Sequence, residues 1–357
     1  MTEGSTQRRL PAEWEPQAAI QLTWPHDNTD WAPHLNEVQP VFAALAAAIS
    51  HYEPVLIVAR DPEHMEVISG FLVEAAIRPD RLWFALADSD DTWARDHGPI
   101  TVLDDGRPRL LDFTFNGWGG KYPAARDNAI TAALAAQGVY GGNALESLPM
   151  VLEGGSIESD GAGTLLTTSR CLLTPTRNPQ LDRAGVERQL REALGAERVL
   201  WLEHGQLQGD DTDAHIDTLA RFCSPDTIAY VRCDDPEDAH HAELAAMEAE
   251  LQALRQASGE PYRLVPLPWP RPITDEQGQR LAATYANFLI LNGAVLLPTY
   301  GDPADAVAHQ RLQEAFPGRE IVDIDCRPII RQGGSLHCLT MQYPRGALGI
   351  PEDEPTA

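Results

Sequence analysis

The sequence predicts an α/β fold in a single domain, and three observations lead to that class. Short apolar runs typical of strands alternate with stretches of helical periodicity along the whole chain. A strand–strand–helix–strand order recurs about five times, without a sequence repeat that can be aligned. No change in composition marks a domain boundary. We therefore expect one closed domain over residues 10–345, flanked by polar tails at 1–9 and 346–357, with the loops after the strands converging on one axis.

In the first half of the chain, helices and buried strands alternate after a leading segment rich in proline and tryptophan. Two further tryptophans, Trp24 and Trp31, predict a loop of aromatic side chains that line a pocket. The pattern then predicts helix 38–50, strand 55–59, helix 62–77, strand 82–86, strand 109–115, helix 127–137, strand 151–158 and strand 164–168. Two glycines interrupt strand 151–158, and a glycine-rich turn makes 164–168 its hairpin partner.

The second half repeats the alternation and ends on a strand. The predicted elements are helix 181–194, strand 199–202, strand 227–231, helix 236–257, strand 262–267, hairpin 285–298, helix 304–316, strand 320–324 and a last strand over 335–343. Asn292 followed by Gly293 is a strong turn signal for the hairpin. Pro344 ends the last strand because proline has no backbone N–H for the ladder.

Composition excludes several classes of protein. The chain has 357 residues, 43% of them hydrophobic, and a formal charge of -26. So acidic a chain repels nucleic acids and anionic membranes, and it favours a cationic partner. The longest apolar runs, 41–49 and 288–298, are too short to cross a bilayer. The polar start of the chain has no apolar signal-peptide segment, so we expect a cytoplasmic protein.

The five cysteines are odd in number, widely spaced and without a CxxC pair. This pattern argues against both a disulfide framework and a structural zinc site. Cys338 differs from the others because it follows Gly333 and Gly334, which let the backbone turn sharply beside an open corner. By itself it is either a small core residue or a nucleophile. Its neighbour His337 points to the opposite face if the segment is a strand, so a base for Cys338 must come from elsewhere.

A polar loop over 91–99 is a second candidate site segment. It contains Trp93, Arg95, Asp96 and His97 between two strand-like runs. The alternative is a surface turn that carries a salt bridge between Arg95 and Asp96.

A third candidate segment spans 209–222. His215 and Asp217 are two residues apart, so they would share one face of a strand, and Asp211 lies four residues before His215. A histidine flanked by carboxylates is a general base with an orienting partner. The residue types alone also permit a zinc site, although no second histidine follows at HxxxH or HExxH spacing.

Six stretches together resemble the agmatine deiminases of the bacterial-type peptidylarginine deiminase family, within the pentein superfamily. They are Trp-Ala-Arg-Asp-His-Gly-Pro at 93–99, Phe-Asn-Gly-Trp-Gly at 115–119, Leu-Glu-Gly-Gly-Ser-Ile at 152–157, His-Ile-Asp at 215–217, Tyr-Ala-Asn-Phe at 285–288 and Gly-Gly-Ser-Leu-His-Cys at 333–338. The resemblance covers about residues 10–344. It implies a five-bladed αβ propeller of ββαβ units with pseudo-fivefold symmetry. The longer agmatine deiminases carry Asn at the position of Ser335 and Thr at that of His97, so this chain resembles a shorter bacterial subgroup.

The resemblance also implies roles for single residues. Cys338 would be the nucleophile and His215 the acid–base, while Asp96 and Asp217 would hold the guanidinium. The further substrate-binding residues it implies are Asp211, Trp93, Glu153 and Asn287. For Glu153 a buried role beside backbone N–H groups is an equal alternative. No metal and no cofactor are implied.

The implied reaction is hydrolysis of agmatine to N-carbamoylputrescine and ammonia through an amidino-thioether on Cys338, as in putrescine and polyamine biosynthesis. Alternatives are deimination of arginine or peptidyl-arginine, and amidino transfer to an amine. The acidic cluster Asp210, Asp211 and Asp213 favours a dication such as agmatine over a zwitterion. The expected partner is therefore a small cationic guanidine, not nucleic acid or membrane, and a homo-oligomer stays open.

Overall fold

The computed structural model describes residues 8–350. Most of the two predicted tails lies outside this range. Of their described part, Arg8 and Arg9 pair with the strand that contains Asp104, and Ala347 is fully buried.

Short strands recur along the whole described chain. In chain order they are β1 (Arg8–Arg9), β2 (Gln17–Thr23), β3 (Val55–Ala59), β4 (Leu82–Leu86), β5 (Ile100–Asp104), β6 (Arg107–Thr114), β7 (Ala144–Val151), β8 (Ile157–Ser159), β9 (Thr164–Thr168), β10 (Arg198–Leu202), β11 (Ala220–Ser224), β12 (Thr227–Val231), β13 (Arg263–Leu267), β14 (Leu289–Ile290), β15 (Ala294–Thr299), β16 (Glu320–Asp325) and β17 (Thr340–Pro344).

The helices are α1 (Leu35–Ser50), α2 (Pro62–Glu74), α3 (Ala94–His97), α4 (Gly117–Gly120), α5 (Asp127–Ala136), α6 (Ser169–Leu172), α7 (Arg183–Leu194), α8 (His241–Ala253) and α9 (Ala304–Ala315). Single 3-10 turns include Gly154–Ser156, Ile216–Thr218 and Ile329–Gln332. None of the helices in residues 8–350 is long and apolar enough to cross a bilayer.

Within the described residues the strands form five separate mixed sheets. Their orders are β17–β2–β3–β4, β1–β5–β6–β7, β8–β9–β10, β11–β12–β13 and β14–β15–β16. Each sheet contains an antiparallel pair next to a parallel pair. A helix joins the two strands of each parallel pair, as parallel pairing requires. The predicted strand–strand–helix–strand order is therefore present in each sheet, and the α/β class is confirmed.

One sheet joins the two ends of the described chain. β17 pairs antiparallel with β2, so that Met341 faces Gln21 and Thr340 faces Leu22. β2 is entirely buried. β2 is not predicted from the sequence because its polar residues Gln17, Gln21 and Thr23 obscure the apolar run.

Several predicted elements need correction. Trp24 and Trp31 are both fully buried, and Trp24 packs on Phe42 of α1 at a ring distance of 5.5 Å instead of lining a pocket. The predicted helix 236–257 is α8, which begins only at His241. The last strand begins at Thr340 and not at 335, because 335–339 form a turn closed by the Leu339 N–H on the Ser335 carbonyl, at 3.1 Å.

Candidate active site

The candidate site is built by the segments that link one sheet to the next. The segment from β4 to β5 carries Asp96, the one from β7 to β8 carries Gly155, and the one from β10 to β11 carries His215. The segment from β13 to β14 carries Asn287, and the one from β16 to β17 carries Cys338. Loops can take the sharp turns that a site needs, while the sheets hold their ends in place.

A cavity of about 240 Å³ opens over these segments. Four of the residues singled out from the sequence lie on its wall: Trp93, Asp96, Asp211 and Cys338. The other lining residues are Asp30, Asp91, Trp118, Tyr122, Gly209, Thr212, Arg331, Gln332, Gly333 and Gly334. The wall therefore combines aromatic faces with carboxylates, which suits a cation.

Asp96 lies in the short helix α3 and is almost fully buried. Its Oδ1 accepts the Gly155 N–H at 3.0 Å, and its Oδ2 accepts the Trp118 Nε1–H at 2.9 Å. Burial raises the pKa of Asp96 to about 6, with a further contribution from the charge of Asp217 and an opposing one from His215. Asp96 is therefore ionised at neutral pH and protonated in mild acid.

Trp118 reaches Asp96 because of a special backbone conformation. Its φ is 55°, in the left-handed region that a bulky side chain rarely adopts. Gly117 and Gly119 on either side also have positive φ. A Cβ on Gly117 would lie 2.3 Å from the Tyr122 carbonyl oxygen, so only glycine fits there.

His215 is fully buried, and it follows two residues in the left-handed region, Asp213 with φ 68° and Ala214 with φ 66°. Hydrogen bonds hold this strained turn: Thr168 Oγ1 donates to the Ala214 carbonyl, and the Ala214 N–H donates to Asp210, both at 2.7 Å. Backbone strain held by buried hydrogen bonds is typical of functional sites.

The ring of His215 points at carboxylates. Its Nδ1 lies 3.7 Å from Asp96 Oδ1. Burial alone would lower the pKa of His215, but the charge of Asp96 raises it well above the ordinary value. The raised pKa favours the imidazolium form of the ring, which is a proton donor.

Asp217 lies in the 3-10 turn Ile216–Thr218, so the prediction that it shares a strand face with His215 is wrong. Its Oδ2 lies 2.7 Å from His337 Nδ1 and 3.5 Å from Cys338 Sγ. Burial alone would raise the pKa of Asp217, but the hydrogen bond from His337 and its charge lower it. Asp217 is therefore ionised at neutral pH.

Gly155 shows how closely these groups approach one another. A Cβ on Gly155 would lie 2.6 Å from His215 Nδ1, 2.8 Å from Asp96 Oδ1 and 3.0 Å from Asp217 Oδ2. The structure thus brings the predicted acid–base and both predicted guanidinium ligands around one point. Glycine is needed there because any side chain would collide with all three groups.

Cys338 lies in the turn before β17 and not on a strand, so that prediction is wrong as well. Asn287 holds it on two sides: Nδ2 donates to Sγ at 3.1 Å, and Oδ1 accepts the Cys338 N–H at 3.2 Å. The Cys338 carbonyl accepts the Arg95 N–H at 3.2 Å, which ties the turn to α3. Burial and the charges of Asp217 and Asp96 raise the pKa of Cys338 well above its ordinary value. The free enzyme therefore holds a thiol.

Asn287 itself is fully buried and is not on the cavity wall. Its amide contacts the Cys338 turn through both Nδ2 and Oδ1. Its contact with substrate stays a prediction.

Trp93 forms one face of the cavity, as the resemblance implied. A Cβ on Gly334 would lie 2.2 Å from the Trp93 ring, so this glycine allows the ring to pack against the backbone beside Cys338. Trp31 supports Trp93 from behind at a ring distance of 6.0 Å. Trp31 is held in turn by Asp91, which accepts its Nε1–H at 3.0 Å.

Asp211 lies on the rim of the cavity and is half-buried. Its Oδ2 accepts the Tyr122 O–H at 2.6 Å. Burial raises its pKa, and the Tyr122 hydrogen bond opposes that shift. Lys121 donates to the Asp211 carbonyl and lies 2.8 Å from Asp213, so its charge is already neutralised.

Glu153 is fully buried and lies away from the cavity wall. Both of its oxygens accept the Arg177 Nε–H, at 2.8 and 3.0 Å, and it lies beside Cys171 and His215. Its carboxylate therefore has a buried guanidinium partner, and its contact with substrate stays a prediction. Arg177 also donates to Asp213 at 2.7 Å, which anchors the loop in front of His215.

Within residues 8–350, two groups of residues have ligand atoms close enough together for a metal: Glu153, Cys171 and His215, and Glu13, Glu158 and His337. Each group contains a carboxylate already paired with a buried guanidinium, that of Arg177 in the first and that of Arg221 in the second. A divalent cation would have to compete with these arginines for the same oxygens, so neither donor set fits a resident metal.

The basic residues near the site are all paired. Arg95 extends away from the cavity to Gln342 and Glu13, and Arg221 is fully buried among Glu158, Glu13 and main-chain carbonyls. Sequence reasoning missed Arg331, which lines the cavity. Its guanidinium contacts Glu276 at 2.7 Å and Glu37 at 3.6 Å.

Comparisons with known proteins identify the family of this chain. The family described as Porphyromonas-type peptidyl-arginine deiminase has a sequence model that matches residues 9–344. Agmatine deiminase of Stutzerimonas stutzeri is 36% identical to this chain, over 94% of the chain and 95% of the relative.

Two solved structures are similar over nearly the whole chain. One, a candidate arginine deiminase from Porphyromonas gingivalis, is 52% identical with a TM-score of 0.89, covering 96% of this chain and 99% of that one. The other is a cysteine-to-serine variant of C. jejuni agmatine deiminase with substrate bound. It is 36% identical with a TM-score of 0.89, and the match covers 97% of this chain and 99% of that one.

Proposed function

The chain belongs to the Porphyromonas-type peptidyl-arginine deiminase family, and we propose that it hydrolyses agmatine to N-carbamoylputrescine and ammonia. One observation carries the proposal. Asp96, Asp217 and His215 converge on the point marked by Gly155, and the Cys338 sulfur lies 3.5 Å from Asp217. Two carboxylates, a protonated histidine and a thiol are the groups that deimination through a covalent intermediate needs.

Binding comes first. Asp96 and Asp217 are both ionised at neutral pH, and each accepts N–H groups of a planar guanidinium. Each charge-assisted hydrogen bond contributes about 1.5–3 kcal/mol. The bound cation also offsets the two negative charges that raise the pKa of Cys338, so the thiol releases its proton to solvent when the substrate arrives.

Chemistry follows in two halves. The Cys338 thiolate attacks the guanidinium carbon, and the His215 imidazolium protonates one nitrogen of the tetrahedral adduct, which leaves as ammonia. An amidino group then remains bonded to sulfur. Neutral His215 takes a proton from water, and the resulting hydroxide adds to the same carbon. Collapse of the adduct then breaks the carbon–sulfur bond, the hydroxyl proton passes to the departing sulfur, and the ureido product is freed together with the thiol.

We infer that the five sheets are the blades of a five-bladed αβ propeller. Three features support this: the ββαβ order of each sheet, the sheet shared by β2 and β17, and the linking segments that meet at one site. A closed ring of blades places the linking segments of all sheets at one end of its axis, where a small ligand can contact each of them.

The choice of agmatine depends on the rim of the cavity. Asp30, Asp91 and Asp211 lie on its wall, and Tyr122 adds a hydroxyl. These groups suit the distal ammonium of agmatine and repel the carboxylate of arginine. Free arginine is the second candidate because Arg331 also lines the cavity. We prefer agmatine because Glu276 and Glu37 already neutralise that guanidinium.

The test is a substrate panel. Agmatine, free arginine and an arginine peptide blocked at both ends are offered to the purified protein, and ammonia and the ureido product are measured. We expect kcat/KM for agmatine to exceed that for arginine at least about 100-fold, because the carboxylates of the rim repel the carboxylate of arginine. A ratio near one, or a preference for arginine, contradicts the substrate assignment but not the deiminase chemistry.

A further inference from the structure

His337 is bonded at both ring nitrogens behind the site. Its Nδ1 lies 2.7 Å from Asp217 Oδ2, and its Nε2 lies 2.7 Å from Glu13 Oε1. The ring is fully buried and does not line the cavity. A neutral imidazole has only one N–H, so two such hydrogen bonds require two protons among the three groups. The three groups together then carry a net charge of about -1, whichever atom holds each proton.

Arginines fix the far end of this chain of contacts. Glu13 accepts from Arg221 at 2.7 Å and from Arg95 at 3.3 Å. Burial alone would raise the pKa of Glu13, but the charges of His337, Arg221 and Arg95 lower it below the ordinary value. Glu13 is therefore an ionised acceptor, and the ring nitrogen that faces it is a donor.

The near end of the chain orients Asp217. Oδ2 is taken by His337 and lies close to the Cys338 sulfur, whereas the buried Oδ1 has no hydrogen-bond partner among residues 8–350. A carboxylate with one oxygen fixed presents the other in a defined direction. The unpartnered oxygen is the one left for a ligand N–H.

We propose that His337, held by Glu13, is a positioning residue that fixes the carboxylate of Asp217, so that Oδ1 receives the guanidinium while Oδ2 faces the Cys338 thiol. His337 itself touches no substrate atom. This inference rests on the proposed function for the identity of the ligand. It adds a residue that sequence reasoning set aside, because on a strand His337 would have pointed to the opposite face from Cys338.

Two substitutions separate the two hydrogen bonds of His337. The amide nitrogen of Asn can occupy the position of Nδ1, so His337→Asn keeps the donor to Asp217 and loses the contact with Glu13. The amide nitrogen of Gln can reach the position of Nε2, so His337→Gln keeps the contact with Glu13 and loses the donor to Asp217. Gln is closer to His in size, so a role in packing alone favours His337→Gln.

A positioning role for His337 predicts instead that His337→Asn is more active than His337→Gln. We expect His337→Asn to keep kcat within about tenfold of the unchanged protein and His337→Gln to lose at least about 100-fold, since a misplaced ligand group costs roughly that much. Thermal unfolding is measured alongside, and we expect His337→Asn to have the lower Tm because it leaves the larger cavity. Equal kcat values, or a higher kcat for His337→Gln, overturn the inference.

A second measurement keeps the inference testable without turnover. Iodoacetamide alkylates Cys338 slowly while the charge of Asp217 is close to the thiol. We expect His337→Gln, which frees Asp217 to turn away, to alkylate at least about fivefold faster and His337→Asn to match the unchanged protein. If the unchanged protein turns over none of the three guanidines, the proposed function fails, and the alkylation rates alone decide the positioning role. Identical alkylation rates in the two variants overturn that role.

Discussion

The two ends of the candidate site are built differently. At the inner end, Asp96, Asp217, His215 and Cys338 are all buried, and a Cβ on Gly155 would lie within 3.0 Å of three of them. At the rim, Asp211 is half-buried, and its carboxylate accepts a hydrogen bond from the Tyr122 hydroxyl. Buried charges are expensive unless they are paired, so the inner end must keep one geometry, whereas solvent can compensate for changes at the rim. We therefore propose that the inner end sets reactivity and that the rim sets the choice of substrate.

The largest effect is expected from the nucleophile at the inner end. Cys338→Ser should reduce kcat by at least about 10⁴-fold, because a hydroxyl is a far weaker nucleophile without a strong base beside it. Cys326→Ala is the matched control, since Cys326 is also fully buried but lies outside the cavity. Cys171 is not a suitable control because it lies beside His215 and Glu153. Substantial turnover by Cys338→Ser would show that the covalent route is wrong.

The second effect concerns the space between the inner groups. Gly155→Ala should lower kcat/KM by at least about 100-fold, because the added methyl group lies within 3.0 Å of His215, Asp96 and Asp217. Gly70→Ala is the control: it is in α2, and no atom lies within 4 Å of a Cβ there, so activity should not change. Kinetics and thermal unfolding of both variants are compared. Unchanged activity of Gly155→Ala would show that His215, Asp96 and Asp217 can move apart to accommodate a methyl group.

The third effect is a pH dependence of the inner end. Asp96 must be ionised to hold the guanidinium, and its pKa is about 6, so kcat/KM should fall as the pH drops below that value. Trp118→Phe removes a hydrogen bond that lowers this pKa and should move the acid limb to higher pH. Trp201→Phe is the matched control because it breaks an indole–carboxylate bond with Glu187, far from the cavity. If the acid limb of the pH profile does not move in Trp118→Phe, that limb reports the titration of a group other than Asp96.

The fourth effect separates a thiol enzyme from a metal enzyme. Dialysis against a chelator should leave activity unchanged, because Arg177 and Arg221 already occupy the carboxylates of both candidate metal clusters. Iodoacetamide should abolish activity, and excess agmatine should protect against it. Activity that is lost on dialysis and restored by zinc would support the metal site that the sequence left open.

The smallest effect is expected at the rim. Asp211→Asn should raise KM for agmatine about tenfold with little change in kcat, because one charge-assisted contact at the distal end is worth roughly 1.4 kcal/mol. KM for arginine should change less, so the preference for agmatine should narrow. Asp234→Asn is the control, since that carboxylate is exposed and pairs only with Arg232 among the described contacts. A fall in kcat without a change in KM would place Asp211 at the inner end instead.

The sequence by itself predicted the α/β class and the strand–strand–helix–strand order, and its short motifs suggested the residues proposed for the reaction. Strands such as β3, β4 and β12 were predicted to the residue because their apolar runs are continuous and bounded by turn residues. Cys338, His215, Asp96 and Asp217 were recognisable because each lies in a short motif whose residues are neighbours in the chain. Motifs of neighbouring residues can be recognised in the sequence without knowledge of the fold.

Only the tertiary structure decided how those residues face one another. His215, Asp217 and Cys338 were placed on strands from their spacing, but all three lie in turns, where periodicity no longer tells the direction of a side chain. Glu13 meets His337 across 324 positions of sequence, and Gly155 meets three groups from other segments. These contacts depend on where five sheets place their linking segments. The pairing of buried charges follows from packing and not from the order of the residues along the chain.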